Sequence, residues 1–177
     1  MVTTTANLTL TEFLELPYIE ESPAWELIDG QASQKIMPTS HHSILQKQLV
    51  SRIDGANSDY EAFLELRYVL SQNSVVPDIA VVDRNRLPAT NSPIMGAPNW
   101  AIEILSPGQS TTKLIGKIQD CLNEGTELGW LLDSEEQVAM VLRPGNRLTL
   151  LRGNSVLPVL ANLNLSLTVE EIFSWVR

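Results

Sequence analysis

One carboxylate interrupts an otherwise apolar run, Trp100-Ala101-Ile102-Glu103-Ile104-Leu105, which Pro98 and Pro107 bound on either side. The run is the length of a strand, and its lack of polar alternation predicts a strand buried on both faces. An ionised Glu in such a place is costly unless something compensates it. Glu103 must therefore open onto a polar cleft or hold a cation. The rest of the chain has to fold so that one of these is true.

At 177 residues the chain is read as one domain, 1–177, long enough to bury about 70% of its unfolded surface. Hydrophobic residues at 44% and charged residues at 19% match ordinary globular usage, so neither a disordered nor a fibrous class is expected. The start, Met-Val-Thr-Thr-Thr-Ala-Asn-Leu, has no basic segment followed by an apolar core, so no signal peptide is expected. No apolar run approaches the ~20 residues that span a bilayer. A single cysteine, Cys121, forms no intrachain disulfide and no multi-cysteine metal site. A cytoplasmic protein without membrane contact is the expectation. The formal charge of −9 argues against a broad basic surface that grips nucleic acid by charge alone, while leaving room for a local basic groove or a bridging metal.

Local signals place the elements. Thr9-Leu10-Thr11-Glu12 reads as a capping box for a short helix that stops near Pro17. Trp25–Ile28 and the residues from Gln31 to Met37 form a hairpin around Asp29-Gly30. Ser40 caps a second helix, with Leu45, Leu49 and Ile53 on its inner face and Gly55 at its end. The alternation from Phe63 to Leu70 predicts one half-buried strand, with Glu65 and Arg67 on its polar face, and 75–82 predicts the next. Residues 84–98 read as an irregular loop. Ser110 to Thr112 cap a third helix ending near Gly125, striped by Leu114, Ile115, Ile118, Cys121 and Leu122. Segments 128–133, 137–143 and 147–152 read as a meander, and Thr168-Val169-Glu170-Glu171 as a capping box for a terminal helix. The pattern is mixed, α/β or α+β, without repeats or linkers.

Asp78 and Glu103 lie on successive expected strands where neither pattern needs a charge. If those strands pair, the carboxylates converge, and a hard divalent ion such as Mg2+ or Mn2+ takes one or two carboxylates with water and substrate phosphate. The alternative is that Asp78 follows Pro77 in a turn and Glu103 reaches solvent or a basic partner. Lys113 and Lys117 stand one turn apart on the third helix. Lys117, nearer the apolar edge, could reach the carboxylates or simply snorkel at the core boundary. His41 and His42 are the two histidines and could contact phosphate or carry a proton; a partly exposed structural role is the other reading. Glu26 is a third acidic candidate. No nucleophile elbow, phosphate loop or dinucleotide glycine fingerprint is present.

In order along the chain, Trp25-Glu26-Leu27-Ile28-Asp29-Gly30, Val76-Pro77-Asp78-Ile79-Ala80-Val81-Val82, Ile102-Glu103-Ile104-Leu105-Ser106-Pro107 and Gly129-Trp130-Leu131-Leu132-Asp133 resemble the Uma-type endonuclease family. That family is a restriction-endonuclease-like group within the PD-(D/E)XK nuclease superfamily, and the resemblance covers roughly residues 9 to 175. It implies a central mixed sheet flanked by helices and Mg2+-dependent hydrolysis of phosphodiesters, most simply in DNA. By this resemblance Asp78 and Glu103 are metal ligands, together with the backbone carbonyl of Ile104. Glu26 and His42 match the family's early glutamate and helix-start histidine, and Lys117 matches a lysine moved onto the following helix. Leu105 stands where the superfamily pattern has its lysine, and Cys121 where an aromatic residue commonly follows the moved one. A non-catalytic metal-binding or protein-interaction module that keeps the nuclease fold is the competing reading. Apolar residues of the terminal meander could also pair edge strands into a homodimer.

Overall fold

A computed structural model describes residues 3–56 and 58–176. The elements run β1 (Thr3–Asn7), α1 (Leu10–Leu14), β2 (Trp25–Ile28), β3 (Gln31–Gln34), α2 (Ser40–Asp54), β4 (Tyr60–Leu64), β5 (Tyr68–Val69), β6 (Ser74–Val75), β7 (Ile79–Asp83), β8 (Ile94–Met95), β9 (Trp100–Leu105), α3 (Thr111–Asn123), β10 (Leu128–Asp133), β11 (Val138–Arg143), β12 (Arg147–Arg152) and α4 (Val169–Ser174). The strands divide between two mixed sheets. One has the order β1-β3-β2-β6-β5-β8 and the other β12-β11-β10-β9-β7-β4. The fold class is the expected α+β. Among the described residues no helix is long and apolar enough to cross a membrane.

The local signals act as their chemistry requires. The Thr9 side chain accepts from the Glu12 N–H while the Glu12 carboxylate accepts from the Thr9 N–H, a reciprocal capping box. Asp29 and Gly30 both take positive φ, 51° and 74°, as the tight turn between β2 and β3 demands. The second helix is capped one residue earlier than expected, by Thr39, whose side chain accepts from the His42 N–H. Residues 84–98 are not wholly irregular: they hold a 3-10 turn, Arg84–Arg86, and the two-residue strand β8.

The main correction concerns 60–83. In place of two uninterrupted strands there are four short ones, β4 and β5 on one limb, β6 and β7 on the other. The register nevertheless carries across the break without slip: Leu64 faces Ile79 in one sheet, and Tyr68 faces Val75 in the other. This is one long hairpin, bent so that it passes from sheet to sheet. Pro77 offers no N–H to the ladder on one limb, and Glu65 turns into the left-handed region (φ 48°) on the other. Arg67, expected on a solvent face, is buried at this bend. Leu64, expected on the buried face, is half exposed.

The core sits on one side of the second sheet. Trp100, Ile102 and Ile104 pack there with Leu45, Leu49 and Ile53 of α2 and Ile172 and Phe173 of α4, and the Trp100 and Trp130 rings meet edge to face at 4.4 Å. The opposite side is covered by α3, where Ile118 and Leu122 lie on Leu131 and Leu142. Gly129 sets that approach, because a Cβ there would come within 2.2 Å of Ile118 Cγ2. Close packing of α3 brings the residue before Ile118, Lys117, over the Glu103 side of β9.

Candidate functional site

The bend frees backbone groups that the ladder would otherwise use, and the site is built on them. Val76 donates its N–H to Glu26 Oε1 at 2.6 Å. Its carbonyl accepts from two ammoniums, Lys35 Nζ at 2.8 Å and Lys117 Nζ at 3.0 Å. The Asp78 carbonyl accepts from Gln46 Nε2 at 3.0 Å. Buried backbone groups thus find side-chain partners where strand pairing lapses.

Asp78 and Glu103 come together because β7 and β9 pair antiparallel with Ile79 opposite Ile102. Both are nearly inaccessible, 3% and 2% exposed. Asp78 Oδ2 accepts from the Ile104 N–H at 2.8 Å, and Oδ1 pairs with Lys35 Nζ at 2.7 Å. Lys117 Nζ bridges the other two carboxylates, 2.5 Å from Glu26 Oε1 and 2.7 Å from Glu103 Oε1. The Lys117–Glu103 contact is an ion pair rather than a well-aligned hydrogen bond, since Glu103 Oε1 has no hydrogen-bond partner of good geometry. His42, at the start of α2, places Nδ1 3.0 Å from Ser106 Oγ and Nε2 3.5 Å from Asp78 Oδ2.

Of the residues singled out from sequence, Glu26, His42, Asp78, Glu103 and Lys117 therefore converge, with Ile104 contributing its N–H to Asp78. Lys113 does not reach them and stands exposed on the wall of a cleft; His41 is exposed. Leu105 packs into the apolar cluster beneath α3 rather than toward the carboxylates. Cys121 is fully buried beside Ala101 and Tyr68. Sequence reasoning missed Lys35. It follows a polar strand, Gln31-Ala32-Ser33-Gln34, that reads as solvated, and its partner lies 43 residues away. Gln46 was hidden in the same way, as a polar residue beside the α2 stripe.

Three carboxylates and two ammoniums share this buried space, and the charges are unevenly held. Burial dominates Glu103 and pushes its carboxyl up to about 8, opposed by the Lys117 ammonium and reinforced by the Asp78 charge. Burial also acts against ionised Asp78, but the Lys35 ammonium, the neighbouring His42 imidazole and Lys117 together hold its carboxyl well below the usual range. For Lys117, burial is outweighed by Glu103, Glu26 and Asp78, and the ammonium is held well above the ordinary lysine value. Lys35 is raised in the same sense: burial, the largest influence, yields to Asp78 and the glutamates.

The cluster opens to one side. A cleft of about 540 Å3 runs between the β2–β3 hairpin and α3, with Glu26, Lys35, Glu103 and Lys117 among its lining residues. Its outer walls mix amides and hydroxyls (Gln31, Gln34, Thr112) with the carboxylates of Asp29 and Asp120 and the apolar side chain of Leu114. The carboxylates are hard oxygen donors of the kind Mg2+ and Mn2+ take, and Glu103 Oε1 is a buried oxygen lacking a good partner. The donor chemistry fits such an ion. Among the described residues, however, no three His, Cys, Asp or Glu side chains stand in a ready ligating arrangement, and two ammoniums contact the carboxylates instead.

A family model described as "Uma2: Putative restriction endonuclease" matches residues 10–170. The fold is similar to the crystal structure of a "putative nuclease belonging to DUF820" from Anabaena variabilis ATCC 29413, with a TM-score of 0.89 and 39% sequence identity. That similarity covers 96% of this chain and 99% of the other. No curated protein is a significant match to the chain.

Proposed function

Because the chain belongs to the Uma2 family of restriction-endonuclease-like proteins, we propose that it is a metal-dependent nuclease that hydrolyses phosphodiester bonds, with DNA as substrate. The observation that carries the reading is the meeting of Asp78 and Glu103 on paired strands, with Glu103 and the lysine on it lining the cleft. Asp78, Glu103 and the Ile104 carbonyl would hold a Mg2+ or Mn2+ ion, which when bound polarises a phosphoryl oxygen and lowers the pKa of water.

The chain's own residues do the rest. The Ile104 N–H and the Gln46 amide fix Asp78 from two directions. Glu26 and the Val76 carbonyl hold the Lys117 ammonium against Glu103, so that its charge faces the cleft where a scissile phosphate and its attacking water would lie. Lys117 then supplies from α3 the positive charge that the superfamily pattern places at the position of Leu105. His42 braces Asp78 from the α2 side. The experiment is cleavage of single- and double-stranded DNA and of RNA by purified protein with Mn2+ or Mg2+. Metal-dependent cleavage is expected for wild type, strongly slowed in Lys117→Ala. Cleavage equal in wild type, Asp78→Ala and Glu103→Ala would mark a contaminant. No turnover on any nucleic acid would leave the fold as a binding module, the role its net charge of −9 favours.

A further inference from the structure

The two ammoniums at the site are not equivalent. Lys117 is held by two carboxylates, Glu26 and Glu103, and by the Val76 carbonyl, and its own helix is locked to β10 by the Gly129–Ile118 approach. Lys35 has two acceptors, Asp78 Oδ1 and the Val76 carbonyl, and stands just past the end of β3 on the cleft wall. Asp78 Oδ2 accepts from the Ile104 N–H and has His42 Nε2 3.5 Å away. The remaining oxygen, Oδ1, is the one Lys35 covers. Any divalent ion arriving at Asp78 therefore meets a unit positive charge in direct contact with the oxygen it needs.

We propose that Lys35 is a built-in counter-cation of Asp78, which a divalent ion must displace to load the site and which, once displaced, presents its ammonium to the cleft. The proposal rests on the nuclease reading above and adds a control to it. Unloaded, Asp78 is neutralised from within, and the buried carboxylate is not left uncompensated. Loaded, the ion replaces the ammonium and the displaced charge remains on the cleft wall, where a phosphate chain passes. The cost is weaker metal uptake than the carboxylates alone would give.

Two measurements test this. The first is calorimetric titration with Mn2+ of wild type, Lys35→Gln, Lys35→Arg and Lys113→Gln. Gln keeps a donor for Asp78 and removes the charge, Arg keeps the charge, and Lys113→Gln removes one exposed charge from the opposite wall of the cleft. Removing a charge in contact with the ion's place should tighten Mn2+ binding about tenfold or more in Lys35→Gln, with Lys35→Arg no tighter than wild type and Lys113→Gln within about twofold. The second uses the native chain and does not depend on how a variant folds: acylation of lysines by an amine reagent, read by mass spectrometry. Lys35 should be protected without metal and several-fold more reactive with saturating Mn2+, while Lys117 stays protected. Mn2+ binding that is lost in Asp78→Ala but unchanged in Lys35→Gln, or Lys35 reactivity indifferent to Mn2+, overturns the proposal and leaves the nuclease reading standing. No Mn2+ uptake at millimolar concentration by wild type or by Lys35→Gln overturns both.

Discussion

The two limbs of the bent hairpin bury charge in opposite ways. On the 65–67 limb, Arg67 is 3% exposed and fully engaged: Nε donates to Glu20 at 2.6 Å, Nη1 to Ser74 Oγ at 2.9 Å and Nη2 to the Ile19 carbonyl at 2.7 Å, with the guanidinium 5.6 Å over the Phe13 ring. One cation meets one carboxylate, and that carboxylate is largely in solvent. On the 76–78 limb, three carboxylates crowd two ammoniums, one oxygen has no well-aligned partner, and the cluster faces a cleft. The first arrangement is closed and finished, as a structural network should be. The second carries an excess of acceptors held in low dielectric, the condition under which a ligand or a proton is drawn in. The same interruption of strand pairing produced both.

Substitutions should separate the limbs. The largest effect is expected on the open one: Glu103→Ala and Asp78→Ala should each reduce metal-dependent cleavage to background while the far-UV circular dichroism stays native. The reverse pattern, lost folding with unaltered rate per folded molecule, would erase the distinction. Arg67→Met should behave in that reversed way, costing about 3 kcal/mol in denaturant unfolding because it strands buried acceptors at Ser74 and Ile19, with cleavage per folded molecule unchanged.

A finer contrast lies in pH. The Glu103 carboxyl is raised from its ordinary 4.5 to about 8 in the folded protein. Its contribution to stability is therefore complete below about pH 4.5 and is lost as pH rises through 8. Metal-free wild type should lose unfolding free energy relative to Glu103→Gln between pH 5 and 8, with a slope of up to about 1.4 kcal/mol per pH unit. Parallel profiles would show that Glu103 is ionised throughout. The smallest effect is expected at Cys121, whose thiol burial pushes up to about 12. In the native protein it should resist thiol reagents and react only as fast as the chain unfolds; rapid labelling would place the α3 face in contact with solvent.

Much of the framework was legible along the chain because its signals are local. The capping box at Thr9, the Thr168 N-cap, whose side chain accepts from the Glu171 N–H, the Asp29-Gly30 turn, the α3 stripe and the terminal meander depend on residues a few positions apart. Glu103 was legible too, as a charge in a run that had no use for one. The bend at 65–67 and 76–78 was not, since the register continues through it and the alternation survives on both sides. Arg67 accordingly looked like the polar face of a strand.

Local patterning settles the mixed α and β class, the helices, the β2–β3 hairpin and the terminal meander, and it singles out Asp78 and Glu103, whose strands are neighbours in the sheet. What surrounds them comes from long-range packing. Lys35 meets Asp78 across 43 residues and Glu26 binds the Val76 N–H across 50. Both contacts exist only because two sheets meet at a point where Pro77 has no hydrogen to give and the freed backbone groups must be satisfied by side chains from elsewhere. No periodicity encodes such a demand: it arises when buried polar groups of distant segments have to find one another.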